Sequence, residues 1–144
     1  MDTTRIESRI GVRASAERIW DLLSDLDQWA HWNPYETDVS GQLSIKGHIS
    51  LTEALPGFAP RQVSGQLGDW QPLTKLIWSE RRGFLSQSTR YFTINQLEKD
   101  SCILSHGIIF TGLRGEIFHD KHRAKIRPVY ETLSENLKRA AEAI

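Results

Sequence analysis

The sequence predicts an α+β domain in which a curved seven-stranded antiparallel sheet wraps a long C-terminal helix, with two short helices between strands 1 and 2. Three observations carry that reading. Residues 14 to 34, ASAERIWDLLSDLDQWAHWNP, encode two short helices that end at a proline. From Tyr35 to Thr111 the chain runs through strand-like segments separated by brief turn sequences, and connections that short force antiparallel neighbours. Toward the C-terminus, Ile126, Tyr130, Leu133, Leu137, Ala141 and Ile144 recur every three or four residues, the stripe of an amphipathic helix. One such helix cannot cover seven flat strands, so the sheet must curl around it, and curling leaves a hollow between the two layers.

Each element follows in turn. Arg5 to Val12 reads as the first strand, with Ile6, Ile10 and Val12 among polar neighbours. Ser15 is a good N-cap, Glu17 puts negative charge in the first turn, and Ile19, Leu22, Leu23 and Leu26 form one buried stripe. Asp27 then caps a second helix, which sets Trp29 and Trp32 on one face and stops near Asn33 because Pro34 disfavours helix in the residue before it. Tyr35 to Leu43 and Lys46 to Leu55 are the next strands; in the second, His48, Ser50 and Thr52 alternate with Ile49, Leu51 and Glu53. The prolines and glycine of 55–60 make a loop at a sheet end, an ordinary surface loop or one whose Phe58 covers a cavity mouth. Gln62 to Trp70, Leu73 to Arg81, Gln87 to Glu98 and Ser101 to Thr111 complete the sheet. Gly112 to His122 is expected to cross from the sheet edge to the long helix, which Pro128 either starts or kinks.

Bulk properties exclude several classes. At 144 residues, one domain over 1–144 is expected, able to bury roughly 70% of its unfolded surface. Eighteen basic and eighteen acidic residues cancel, so no long-range field draws in nucleic acid or an anionic membrane. No apolar run approaches the roughly 20 residues of a membrane span, and MDTTRIESR lacks a signal peptide's apolar core, so a cytoplasmic setting without an integral membrane segment is expected. A lone cysteine, Cys102, fits a reducing compartment and reads as an inert core thiol. Gly-rich phosphate loops, HExxH and GxSxG are absent. His119-Asp120-Lys121-His122 offers two imidazoles without an evident third ligand, so neither a metal nor another cofactor is expected.

The order of these devices, a strand, then Ala-Ser-Ala-Glu, Ile-Trp, Leu-Leu, Asp and Trp-x-x-Trp-Asn-Pro, resembles the START-like superfamily, also called SRPBCC, and within it the polyketide cyclase/dehydrase-type branch. SCILSHGIIFTG at 101–112 resembles that branch's last strand, and LSENLKRAAE at 133–142 the end of its C-terminal helix, so the resemblance covers nearly the whole chain. The proline often found before the first helix is absent around Ser15, and Ile108 stands where many relatives carry a polar residue. The resemblance implies the helix-grip (START-like) fold, with the hollow as ligand site.

Alternation assigns the lining. Cys102, Leu104, His106, Ile108 and Phe110 share one face of the last strand, and Leu76, Trp78 and Glu80 one face of the fifth. On the sixth, the family's Phe-x-aliphatic pattern favours Arg90, Phe92, Ile94 and Gln96 over Tyr91, Thr93 and Asn95. The expected ligand-binding set is Ile49, Leu51, Glu53, Leu76, Trp78, Glu80, Arg90, Phe92, Ile94, Leu104, His106, Ile108, Phe110, Tyr130 and Leu133. Such a mixture suits a bulky apolar molecule with one or two polar handles, although each aromatic taken singly reads first as a core residue.

His106 is the candidate acid/base, since imidazole exchanges protons near neutral pH; the alternative is a core histidine bonded to a neighbour. Glu53 and Glu80 are candidates for aldol-type cyclisation or dehydration if buried, and Arg90 for binding a carboxylate or carbonyl, or simply pairing with either glutamate. The leading expectation is a domain that binds a small hydrophobic or amphipathic ligand such as a lipid, polyketide or aromatic metabolite. The alternatives are a polyketide cyclase, aromatase or dehydratase using the same cavity, and a protein-interaction module of the chaperone-activator or ribosome-associated type, which exposed Trp29, Trp32 or Trp70 would serve. The oligomeric state is not legible in the sequence.

Overall fold

Ser15 starts the first helix as expected: its hydroxyl accepts from the Arg18 backbone N–H at 3.1 Å, and Ile19, Trp20, Leu22 and Leu23 are buried beneath it. The computed structural model describes residues 4–143. Its elements are β1 (Arg5–Val12), α1 (Ala16–Ser24), a 3-10 segment (Leu26–His31), β2 (Glu36–Gln42), β3 (His48–Glu53), β4 (Arg61–Gln71), β5 (Lys75–Gly83), β6 (Ser86–Glu98), β7 (Ser101–Thr111) and α2 (Leu113–Glu142). The strands form one antiparallel sheet in the order β1-β7-β6-β5-β4-β3-β2, with β1 and β2 at its edges. α2 lies across the inner face against β1, β6 and β7, with α1 beside it. This is the helix-grip architecture that the sequence implied.

Three local expectations change. The second helix is a 3-10 segment capped by Asp25, whose carboxylate accepts from the Asp27 backbone N–H at 3.2 Å; Asp27 itself lies inside the first turn. Gln96 is exposed rather than turned inward, and its carbonyl accepts from Ala16 N–H, one of the orphan donors at the start of α1. The segment 112–122 is no separate crossing piece, because α2 begins at Leu113 and Pro128 lies inside it. The buried stripe explains the continuity: Gly115 and His119 extend the line of Ile126, Tyr130, Leu133, Leu137 and Ala141 back by two turns. Pro128 is tolerated because it and Ala124, whose carbonyl loses its helical donor, both face water. Ile144 lies outside the described residues.

At the join of β7 and α2, Gly112 adopts φ +83, and a Cβ there would come within 2.3 Å of the Leu85 carbonyl oxygen, so only glycine fits. That carbonyl accepts from the N–H groups of Arg114 (3.0 Å) and Gly115 (3.4 Å), satisfying two donors in the first turn of α2.

The interior is crowded by rings. Trp29 and Trp32 are 0% and 2% exposed and donate their indole N–H groups to the carbonyls of Leu23 (2.9 Å) and Leu22 (3.2 Å), acceptors that the end of α1 leaves free. The Trp29 ring lies 5.1 Å from Trp32, 5.9 Å from Trp78 and 6.1 Å from Phe92, centroid to centroid. Trp78 fits because β4 carries Gly65 diagonally across from it, where a Cβ would meet the indole at 2.6 Å. Burial removes Trp29 and Trp32 from any role as exposed docking residues. No helix among the described residues is long and apolar enough to cross a membrane. Trp29→Ala is expected to cost about 3–5 kcal/mol of stability, read as a lowered midpoint in urea unfolding.

Candidate functional site

The hollow divides into a filled end and an open end. At the filled end, near the 3-10 segment, β6 supplies Arg90 and Phe92, β7 supplies His106, and α2 supplies Tyr130. Phe92, His106 and Tyr130 stack as three nearly parallel rings, with centroids 4.2 Å and 4.6 Å apart. Arg90, 6% exposed, donates to Glu36 through Nη1 at 2.5 Å and Nη2 at 3.2 Å, and Nη2 also donates to His106 Nε2 at 2.9 Å. Its guanidinium carbon lies 5.0 Å from the Trp78 ring centre and 4.9 Å from that of Tyr130. Asn33 completes the set: its amide donates to Glu36 Oε1 at 2.9 Å while its carbonyl accepts from the Tyr35 and Glu36 N–H groups.

Because a guanidinium only donates, His106 Nε2 must accept, which places the ring proton on Nδ1. Burial drives the His106 pKa well below its ordinary 6.5; the Arg90 charge lowers it further, against a weaker opposing contact with the Tyr130 backbone. Arg90 is held charged: burial pulls its pKa down, but the neighbouring Glu36 carboxylate more than offsets this.

The open end is a cavity of about 260 Å³ between the tips of β3, β4 and β5, the loop 54–60 and the first half of α2. Leu55, Phe58, Ala59, Ile108, Phe110, Phe118, Ile126 and Tyr130 form its apolar walls, and Glu53, Arg61, Arg82 and Ser86 its polar ones. Phe58 closes over it, 5.0 Å from His122 and 6.2 Å from Phe118, centroid to centroid. Glu53 and Arg61 face each other across β3 and β4, and Arg61 binds Glu53 at 2.8 Å and Glu80 at 2.6 and 2.7 Å. Arg82 stands farther off, 3.5 Å from Glu80 and 3.8 Å from Glu53, over the rings of Phe110 and Phe118. Burial raises the Tyr130 pKa, so its hydroxyl stays protonated.

Of the residues expected from sequence, Glu53, Ile108, Phe110 and Tyr130 border this cavity. Ile49, Leu51, Leu76, Trp78, Glu80, Arg90, Phe92, Ile94, Leu104, His106 and Leu133 are buried between sheet and helix but do not line it. The reason is physical: the indoles delivered by the 3-10 segment fill that end of the hollow. His106, the acid/base candidate, is 0% exposed and sealed between Phe92 and Tyr130. Arg61, Arg82, Ser86 and Phe118 border the cavity without having been expected to. Two of them carried a signal: Arg82 continues the alternation Leu76, Trp78, Glu80, and Phe118 and His122 continue the stripe of Ile126 backward. Among the described residues no group of three or more His, Cys, Asp or Glu side chains is arranged to hold a metal ion.

Comparison with solved structures places the fold. A protein of Nitrosomonas europaea superimposes with a TM-score of 0.75 at 12% identity over 97% of this chain and 96% of that one. The di-domain ARO/CYC BexL from the BE-7585A biosynthetic pathway matches with a TM-score of 0.74 at 12% identity over 96% of this chain, which spans 48% of that protein's length. Norcoclaurine synthase from Thalictrum flavum, in complex with dopamine and hydroxybenzaldehyde, matches with a TM-score of 0.66 at 14% identity over 94% of this chain and 84% of that one. No family model and no curated protein sequence matches. At these identities the likeness is one of fold: a seven-stranded antiparallel sheet gripping a long C-terminal helix.

A buried neutral histidine makes stability depend on pH. In the unfolded chain His106 titrates near 6.5 and in the folded chain well below it, so the unfolded state takes up the proton first as pH falls. Its contribution is present above pH 6.5 and is lost below it, at up to about 1.4 kcal/mol per pH unit. Urea unfolding between about pH 7.5 and pH 5.5 is expected to show this decline, and His106→Gln to flatten it.

Proposed function

We propose that this domain binds a small, largely aromatic molecule in the cavity at the open end of the hollow. The observation that carries the reading is the cavity itself: about 260 Å³, walled by Phe58, Phe110, Phe118, Ile108, Ile126 and Tyr130, with its charged groups gathered on one side. That volume falls below the roughly 300–1,000 Å³ of pockets for drug-sized ligands, so one or two rings fit and a long acyl chain does not. The filled end of the hollow gives such a chain nowhere to continue. Burying about 200 Å² of ligand at about 25 cal/mol/Å² contributes near 5 kcal/mol, a Kd of roughly 0.2 mM before ordering costs and polar contacts. The small aromatic molecules held by the norcoclaurine synthase structure support the reading by analogy of fold alone.

Phe118→Trp enlarges the wall into the cavity. It is expected to abolish binding of one- and two-ring aromatic probes in ligand-observed NMR while leaving the free energy of unfolding within about 1–3 kcal/mol of the parent. Unchanged binding in that variant would remove the cavity from consideration.

One observation favours a second reading, an enzyme of the cyclase or dehydratase kind. The Glu53 carboxylate and the protonated Tyr130 hydroxyl border the same space, an acceptor and a donor of protons facing one bound molecule. His106 enters that reading only from behind the wall, as the ring stacked on Tyr130. Glu53→Gln is then expected to lower kcat about 100-fold or more for a cyclising substrate while its Kd changes little.

A further inference from the structure

The two arginines of the cavity wall are engaged unequally. Arg61 spends Nε, Nη1 and Nη2 on Glu53 and Glu80 at 2.6–2.8 Å, and these three bonds take both oxygens of Glu80 and Oε2 of Glu53. Arg82 receives what is left: one approach to Glu80 at 3.5 Å and one to Glu53 at 3.8 Å. Its side chain is nevertheless only 12% exposed, and its guanidinium carbon lies 5.2 and 5.1 Å from the Phe110 and Phe118 ring centres. A guanidinium has five N–H donors, and the bond from Nε to Glu80 uses one of them. The protonated Tyr130 hydroxyl and the Ser86 side chain border the same space.

We infer that the ligand is an aromatic carboxylate, its ring among Phe58, Phe110 and Phe118 and its two carboxylate oxygens on Arg82. This rests on the ligand-binding reading above and names the chemistry that the site selects. The planar fork of Arg82 matches two coplanar oxygens, and Tyr130 can donate to the same group. A neutral ligand leaves the Arg82 donors unmatched. A cationic ligand must share a carboxylate with Arg61, whose pKa stands raised: burial lowers it, and its bonds to Glu80 and Glu53 more than restore it.

Calorimetric titration of the full chain with naphthoate, naphthamide and naphthylmethylamine separates the outcomes, since the three share one ring system and differ in charge. The inference expects naphthoate to bind at least about tenfold more tightly than naphthamide, and the amine most weakly. Arg82→Met is expected to erase the difference between carboxylate and amide, and Arg82→Lys, which keeps the charge but loses the fork, to leave part of it. Should Arg82→Met fail to fold, the lysine variant decides, because full retention of the preference there overturns the role of the fork. Equal binding of naphthoate and naphthamide overturns the inference and leaves the aromatic cavity standing. Binding by none of the three overturns both.

Discussion

The ion pair of Arg90 and Glu36 is the constraint around which the interior is arranged. A charge pair 6% and 3% exposed cannot draw on water, so every neighbouring element is committed to satisfying it. Asn33 holds the carboxylate, His106 accepts from the guanidinium, and Trp78, Phe92 and Tyr130 offer their π faces to the cation. These groups come from the segment after the 3-10 turn, from β5, β6 and β7, and from α2, so the pair stitches the sheet to the helix across the hollow. Removing one partner from such a pair typically leaves an uncompensated buried charge, whereas replacing both with apolar groups is far less costly. That asymmetry makes it a device of arrangement more than of net stability.

The same arrangement decides where space remains. Rings packed around Arg90 occupy the end of the hollow nearest α1, and the space that remains lies at the other end, between the rings of Phe58, Phe110 and Phe118 and the charged wall of Glu53, Arg61 and Arg82. The two arginine clusters therefore do different work. Arg90 is sealed and holds Glu36 and His106 through its two Nη groups, whereas the wall formed by Glu53, Arg61, Glu80 and Arg82 meets the cavity with its donors unevenly spent.

Much of this was legible in the residues. Period-two alternation in Leu76, Trp78 and Glu80 and in Leu104, His106 and Ile108 assigned their faces, because a strand that buries one side has no other register open to it. Ser15 and the stripe of α1 were equally plain. The location of the cavity was not, since alternation says which face is inward but not which part of the inward space is already taken. That depends on the indoles of Trp29 and Trp32, delivered by a 3-10 turn whose cap, Asp25, lies two residues before the one that spacing suggested. Arg82 was hidden by its place beside the turn, where the pairing of β5 and β6 shifts between Arg81 and Gly83. Phe118 was hidden by the expectation that Gly112 to His122 is a crossing segment ahead of the long helix.

The shared acceptor at Leu85 has a mechanical consequence. Its carbonyl takes N–H groups from both Arg114 and Gly115, fastening the hairpin that carries Arg82 to the helical turn just before Phe118. The guanidinium and the phenyl wall are thereby parts of one rigid block rather than two independent jaws. A guest docking there forfeits little chain entropy on arrival, since the geometry that receives it has been set in advance by the fold.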